Sequence, residues 1–178
     1  MNTLRGAVSL MVCFFAVSML VFQVQNAGAQ SADAMEATFE KSTEIWNTGK
    51  LELVDEVYTA NAIRHGADGQ TITGAEALKT YIGNIRTIYP DFKVVVNNQI
   101  GDNDMVANHW TVTATNKGAL SETMPATGKS VEISGVTIVR FVDGKIAEER
   151  AYWNHGGEGS VLAQLGFTLT PPMMAEKE

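Results

Sequence analysis

The sequence predicts an α+β domain in which three N-terminal helices pack against a curved antiparallel sheet. Together they would form a cone with an internal pocket, preceded by a cleaved signal peptide. Three observations carry this expectation. Apolar residues recur at a spacing near four up to residue 89, and at a spacing of two from residue 92 onward. The later segments are joined by tight-turn sequences, GDND at 101–104 and VDGK at 142–145. After residue 30 there is no internal repeat, no Pro- or Ser-rich linker and no long charge run, so helices and strands belong to one unit.

The chain begins with a segment that does not fit the domain. Residues 7–22, AVSLMVCFFAVSMLVF, are apolar or small throughout, with Arg5 before them and Ala27-Gly28-Ala29 after them. A positive start, a short apolar run and a small-x-small site predict an export signal cleaved after Ala29. The run is shorter than the ~20 residues needed to span a bilayer, so stable membrane insertion is not expected. Cys13 lies within the run without the small residues of a lipid-attachment site before it, so no lipid anchor is expected. Cleavage places the protein in the periplasm or outside the cell. It leaves 149 residues, 178 minus 29, enough for one domain (30–170) with a real core, followed by a frayed tail over 171–178 that carries Met173 and Met174.

The charge balance narrows the partners. Without the signal the chain keeps 12 basic against 20 acidic residues, a net charge of −8, which repels phosphate backbones and argues against nucleic acid. The single cysteine leaves with the signal, so the domain has neither a disulfide nor a thiol nucleophile.

Each element follows from its own pattern. SADAMEATFEKSTEIWNTG (31–49) sets Met35, Phe39, Ser42 and Trp46 at helical spacing, with Gly49 as the stop. LELVDEVYTAN (51–61) is expected as a second short helix carrying Leu51, Val54, Val57 and Tyr58 on one side. AIRHGADGQTITG (62–74), broken by three glycines, is expected as a short extended piece with turns. AEALKTYIGNIRTIY (75–89) is a third helix, bearing Leu78, Ile82, Ile85 and Tyr89 and stopped by Pro90. FKVVVNNQI (92–100), MVANHWTVTAT (105–115), SVEISGVTIVRF (130–141) and IAEERAYW (146–153) are strands, and SVLAQLG closes with a helical turn or two.

Several stretches together resemble the SnoaL-like polyketide cyclases, or ester cyclases, of the nuclear transport factor two-like superfamily. They are Trp46-Asn47-Thr48-Gly49 with Val54-Asp55-Glu56, Arg64-His65, Gly74 with Ala77-Leu78, and Tyr89-Pro90-Asp91-Phe92. Further on come VANHWTVTATNKG (106–118), Pro125-Ala126-Thr127-Gly128-Lys129, Arg140-Phe141, Asp143-Gly144-Lys145-Ile146 and Leu162-Ala163-Gln164-Leu165-Gly166. The resemblance implies a bent sheet wrapped on three helices around a mostly apolar pocket. It also implies ring closure by intramolecular aldol condensation without metal or cofactor, with an aspartate on the last strand as general acid/base and His and Gln in support.

This sequence departs from that pattern at the decisive positions. Alignment on Asp-Gly-Lys-Ile puts the family's aspartate at Ala151, a second acidic position at Asn154, and the supporting His and Gln at Thr137 and Gly135. Many relatives have Arg where His109 stands and His where Asn116 stands. A base must therefore come from elsewhere, since removing a proton beside a carbonyl needs an acceptor within hydrogen-bond reach. Period-two alternation puts Ala147, Glu149, Ala151 and Trp153 on one face of the last strand and Ile146, Glu148, Arg150 and Tyr152 on the other. Glu149 would then share the interior with Ala151, about 7 Å away along the strand; its alternative is a rim position beside a basic partner.

The catalytic candidates are accordingly Glu149, His65 near the pocket mouth and His109 on a central strand, where burial is expected. Each histidine has a structural alternative, and His155 in the glycine-rich loop is expected to be exposed. The candidate ligand wall is Trp46, Tyr81, Trp110, Thr137, Ala151 and Trp153, with ordinary core packing as the alternative for most of the aromatics. Arg140 and Arg150 are expected on the outer face beside Glu132 or Glu148. Three histidines on separate elements give no ligand set, so no metal and no cofactor are expected. Three functions fit: a cyclase-like enzyme with a relocated base, a non-catalytic binder of a small hydrophobic ligand, and a homodimeric interaction module.

Overall fold

A computed structural model describes residues 34–167 apart from 103 and 158; the signal segment with Cys13 and the tail from 171 to 178 lie outside the described residues. Helix α1 covers 34–48 and buries Phe39, Ser42 and Ile45, with Trp46 half-buried at its last turn. Gly49 ends it in the left-handed region (φ 75°), a conformation that costs glycine least, and its N–H closes on the Ile45 carbonyl at 2.8 Å. Two side chains then fasten this end. Asn47 accepts from the Val94 N–H at 2.7 Å and donates to the Val94 carbonyl at 3.0 Å. The Arg86 guanidinium donates to the carbonyls of Trp46, Asn47, Phe92 and Pro90.

The expected helix over 51–61 is helical only over its first seven residues, 51–57. A 3₁₀ turn at Leu51–Leu53 leads into α2 (Val54–Val57), and the chain becomes extended at Tyr58. Strand β1 runs Tyr58–His65, so the last four residues of that segment are strand rather than helix. Thr59 is β-branched and Tyr58 aromatic, and both suit a pleated surface better than a helix interior. After a turn, β2 (Thr71–Thr73) pairs back on β1, and α3 (Ala75–Ile88) buries Ala75, Leu78 and Ile82.

Strands β3 (Lys93–Asp102), β4 (Met105–Thr115), β5 (Ser130–Val142) and β6 (Lys145–Trp153) form the expected meander. Asp143 (φ 50°) and Gly144 (φ 75°) make the β5–β6 hairpin turn, as the Asp-Gly pair requires. The six-stranded sheet has the order β2-β1-β6-β5-β4-β3 and is curved and open. It is not wholly antiparallel: β1 lies parallel to β6, with Tyr58 opposite Ile146 and Arg64 opposite Glu149. Register shifts at Tyr58/Ile63, Val96/Asn98 and Arg140/Phe141 bend it, since one extra residue kinks a strand and increases its twist.

The shift at Arg140/Phe141 corrects the face assignment of β6. Phe141 pairs with Ile146 while Arg140 pairs with Glu148, so Ala147 is the extra residue. Ile146, expected outside, is fully buried together with Phe141 and Val139. From Glu149 onward the expected alternation holds. One core cluster joins α1, α2 and α3 to β1, β5 and β6, with Ile45, Val54, Ile82, Val139 and Ile146 at its centre. A smaller one, around Tyr89, Ala114, Val131 and Leu165, sits under α4 (Val161–Leu165), whose N-terminus is capped by Ser160.

Candidate functional site

The helix-facing side of the sheet can be read as three rows from strand register. The first runs Val106, Val139, Glu149 and Arg64; the second Asn108, Thr137 and Ala151; the third Trp110, Gly135 and Trp153. Polar groups in such a place must be satisfied, because burying them without partners is costly. Glu149 is 3% exposed and meets two donors. Arg64 Nη1 donates to its Oε2 at 2.6 Å, and the Tyr58 hydroxyl donates to its Oε1 at 2.9 Å. Tyr58 is in turn bonded to Ser42 Oγ at 2.8 Å, carrying the chain of polar contacts from β6 through β1 to α1.

Aromatic rings wall this pair. The Arg64 guanidinium lies 4.8 Å from the centroid of Trp46 and 5.9 Å from that of Tyr81, within the range where a cation is attracted to a ring face. Trp46 and Tyr81 meet edge to face at 6.1 Å, and Phe92 completes the group at 6.0 Å from Trp46. The protonation states follow from these neighbours. Burial, then the Glu149 carboxylate, push the Tyr58 hydroxyl well above its usual pKa, so it stays a donor. Burial is the largest single influence on Arg64 and lowers its pKa, but Glu149 with Tyr81 and Tyr58 outweighs it and the guanidinium ends above its ordinary value. Burial likewise raises the Tyr81 hydroxyl, while Arg64 acts in the opposite sense.

The second and third rows are held differently. Trp110 Nε1 donates to Thr137 Oγ1 at 2.9 Å, and Asn108 Nδ2 donates to the Thr137 carbonyl at 3.1 Å. The Trp110 ring covers Gly135 so closely that an added Cβ there would collide with it and with the Tyr152 carbonyl. The space over Gly135 is therefore filled by an indole from the neighbouring strand, and Thr137 anchors that indole. Ala151 is 2% exposed beside them, and Trp153 is half-buried, its ring reaching over Gly66 in the β1–β2 turn.

Sequence reasoning left Glu149 either an interior position or a rim position beside a basic partner; the structure buries it and also gives it the basic partner, Arg64, with Trp46 and Tyr81 alongside. It does not bring the two histidines there. His109, expected to be buried, is exposed on the outer face, because β4 alternates with Val106, Asn108, Trp110 and Val112 inward. His65 also faces outward, with Nδ1 3.2 Å from Thr71 Oγ1 and Nε2 3.5 Å from Glu148 Oε1. His155 is exposed. Arg140 and Arg150 both pair with Glu148 on the outer face, as anticipated for one of their two candidate partners.

Arg64, Tyr58 and Ser42 are site residues that the sequence reading missed. Part of a signal existed: Ala62 and Arg64 stand two apart on one face of β1. Tyr58 is not reached by that alternation, because Ala60 is exposed and the pairing with β6 is irregular between Tyr58 and Ile63. Among the described residues no group of three or more His, Cys, Asp or Glu side chains is placed to hold a metal ion, and no helix is long and apolar enough to cross a membrane.

The comparisons with known proteins agree with this architecture. A proposed SnoaL-like polyketide cyclase from Jannaschia sp. superposes with a TM-score of 0.63 at 20% identity, over 68% of this chain and 86% of that one. A proposed polyketide cyclase from Bacillus cereus gives 0.63 at 24% identity, over 76% and 83%. A protein with a ketosteroid isomerase-like fold from Catenulispora acidiphila gives 0.60 at 19%, over 75% and 97%. These likenesses establish the fold. No curated protein sequence matches. The family described as SnoaL-like polyketide cyclase matches residues 36–164, most of the chain, from within α1 into α4, and the chain belongs to that family.

Proposed function

We propose that this is an exported, cyclase-like protein whose interior, between the three helices and the curved sheet, takes up a small and mostly apolar carbonyl compound. Its chemistry is proton transfer beside the carbonyl, with Glu149 in place of the aspartate that Ala151 lacks. The observation that carries this reading is the buried Arg64–Glu149 pair walled by Trp46 and Tyr81. A carboxylate that can take a proton and a cation that can meet the resulting oxyanion lie side by side, which is what enolisation needs. In the step itself Glu149 takes the α-proton and the C–H electron pair moves into the enolate. The negative charge passes from Glu149 to an oxygen beside Arg64, and return of the proton reverses it. No metal or cofactor enters this scheme.

The test is deuterium exchange. The purified protein in D₂O with 2-acetonaphthone should load deuterium into the acetyl methyl group faster than buffer, and Glu149→Gln should return the rate to background. Exchange that is no faster than buffer, or that survives Glu149→Gln, would sink the catalytic role. A second reading is a binder without turnover, favoured by Glu149 already accepting a bond at each oxygen. It predicts retained ligand without exchange, read by native mass spectrometry of protein from its own cells.

The outer sheet face supports a further part of the proposal, a homodimer. Ile63, Met105, Val136 and Tyr152 are exposed there, between 36% and 53%, while Glu148 is occupied by Arg140, Arg150 and His65. An apolar face whose charges are paired internally suits a second copy of itself. Sedimentation at micromolar concentration should give twice the monomer mass, and a monomer would end that part. Export rests on the signal pattern at 1–29, and a mature N-terminus at Gln30 is the expected product.

A further inference from the structure

The Arg64–Glu149 pair also constrains which oxygen the interior accepts, an inference that rests on the interior holding a small molecule as proposed above. Arg64 gives one donor, on Nη1, to Glu149, and its other polar neighbour is the Tyr81 hydroxyl, whose pKa it lowers. A guanidinium is a planar fork of five N–H donors, so these two partners leave donors to spare. Its side chain keeps 13% of its surface against 4% for Glu149, so Arg64 is where the buried pair reaches a ligand. Trp46 and Tyr81 beside it offer apolar ring surface to the rest of that ligand.

Such an arginine would ordinarily select a carboxylate or phosphate. Here its charge is already balanced by Glu149 at 2.6 Å. A second anion would leave the interior with a net negative charge, and an uncompensated buried charge is strongly unfavourable. Asp68 in the β1–β2 turn adds to this, since it lies close enough to Tyr81 to raise the pKa of that hydroxyl. The mature chain's net charge of −8 adds a further unfavourable field for anions. A neutral carbonyl oxygen meets none of these penalties and can accept from one of the spare donors.

We infer that Arg64 is the specificity-determining donor of this site, and that it selects neutral ketones or esters and rejects the corresponding carboxylic acids. The pair acts as a charge-neutral filter: Glu149 removes the arginine's appetite for anions while leaving its remaining donors available.

The experiment compares binding of 2-acetonaphthone and 2-naphthoate at pH 7 by quenching of tryptophan fluorescence. On the unaltered protein the ketone should bind at least tenfold more tightly than the acid. Glu149→Gln removes the balancing charge, so the ratio should swing at least tenfold toward the acid. Arg64→Lys keeps a cation for Glu149 but loses the fork, and should weaken ketone binding about tenfold. The first measurement needs no variant, so a variant that fails to fold leaves the test standing. Equal or tighter acid binding by the unaltered protein overturns the filter. So does a Glu149→Gln ratio that does not move, or unchanged ketone affinity in Arg64→Lys. Ketone binding with no deuterium exchange removes the proposed base and leaves the filter intact, whereas binding of neither probe removes both.

Discussion

Replacing Arg64 by methionine should destabilise the protein far more than replacing Arg64 and Glu149 together. The single change leaves the Glu149 carboxylate, 3% exposed, with only the Tyr58 hydroxyl as donor. Removing one partner of a buried ion pair costs about 3–5 kcal/mol, because the remaining charge keeps its desolvation penalty and loses its compensation. For a domain of this size each kcal/mol lowers Tm by about 2–4 °C, so Arg64→Met should lower it by about 6–20 °C. Glu149→Leu should cost less than Arg64→Met, since Arg64 retains the ring faces of Trp46 and Tyr81 and some contact with water. In the double variant Arg64→Met/Glu149→Leu no charge is left behind, and the Tyr58 hydroxyl still has Ser42 as a partner. Its stability should lie within about 1 kcal/mol of the parent, as expected when a buried pair gives way to apolar residues of similar volume. Urea denaturation of the four proteins at pH 7 gives the coupling energy directly. Additive losses, with the double variant as unstable as the sum of the singles, would show that Arg64 and Glu149 do not depend on each other and would remove the basis for the charge-neutral site.

Three further outcomes follow from particular contacts. Gly135→Val should destabilise by about 1–3 kcal/mol and shift tryptophan fluorescence, because the added carbons displace the Trp110 ring; an unchanged spectrum would contradict the placement of that ring. Arg86→Met should cost about 2–3 kcal/mol in urea denaturation, since four carbonyls around the end of α1 lose a charged donor; a loss below about 0.5 kcal/mol would show that water replaces it. Asp91 accepts from the Thr115 hydroxyl and backbone N–H, and these bonds lower its pKa from 3.8. A depressed carboxylate pKa contributes stability that is fully present above the unfolded value and lost as pH falls from about 4 through the lower folded value. Asp91→Ala should therefore lower stability by up to about 1 kcal/mol at pH 7, modest because the group is exposed, and by less at pH 3; an equal loss at both would show that the carboxylate's charge contributes nothing.

Much of the inner face was legible once β6 was recognised. Alternation along a strand is regular, so an inward Ala151 implies an inward Glu149, and both are buried. The same rule applied to β4 turns His109 outward, since Val106, Trp110 and Val112 belong inside; a place on a central strand does not bury a residue on its outer face. Ile146 failed for a different reason. A bulge at Ala147 adds a residue to one strand without any mark in its composition, and it inverts the faces before it.

What the sequence determined by itself is local and periodic: the lengths of α1 and α3, the stops at Gly49 and Pro90, the Asp143-Gly144 turn, and that Glu149, Ala151 and Trp153 share one face of β6. These depend on spacing and backbone preference within a few residues, and both are written in the chain. The partnership of Arg64 with Glu149 was decided only by tertiary structure. Eighty-five residues separate them, and they meet because β1 docks parallel to β6 in one register out of several that its short alternating pattern would allow. Nothing in either segment alone specifies that register. It follows from α1, α2 and α3 burying their apolar sides against the sheet at once, and so the charge balance of the interior is a property of the assembled domain.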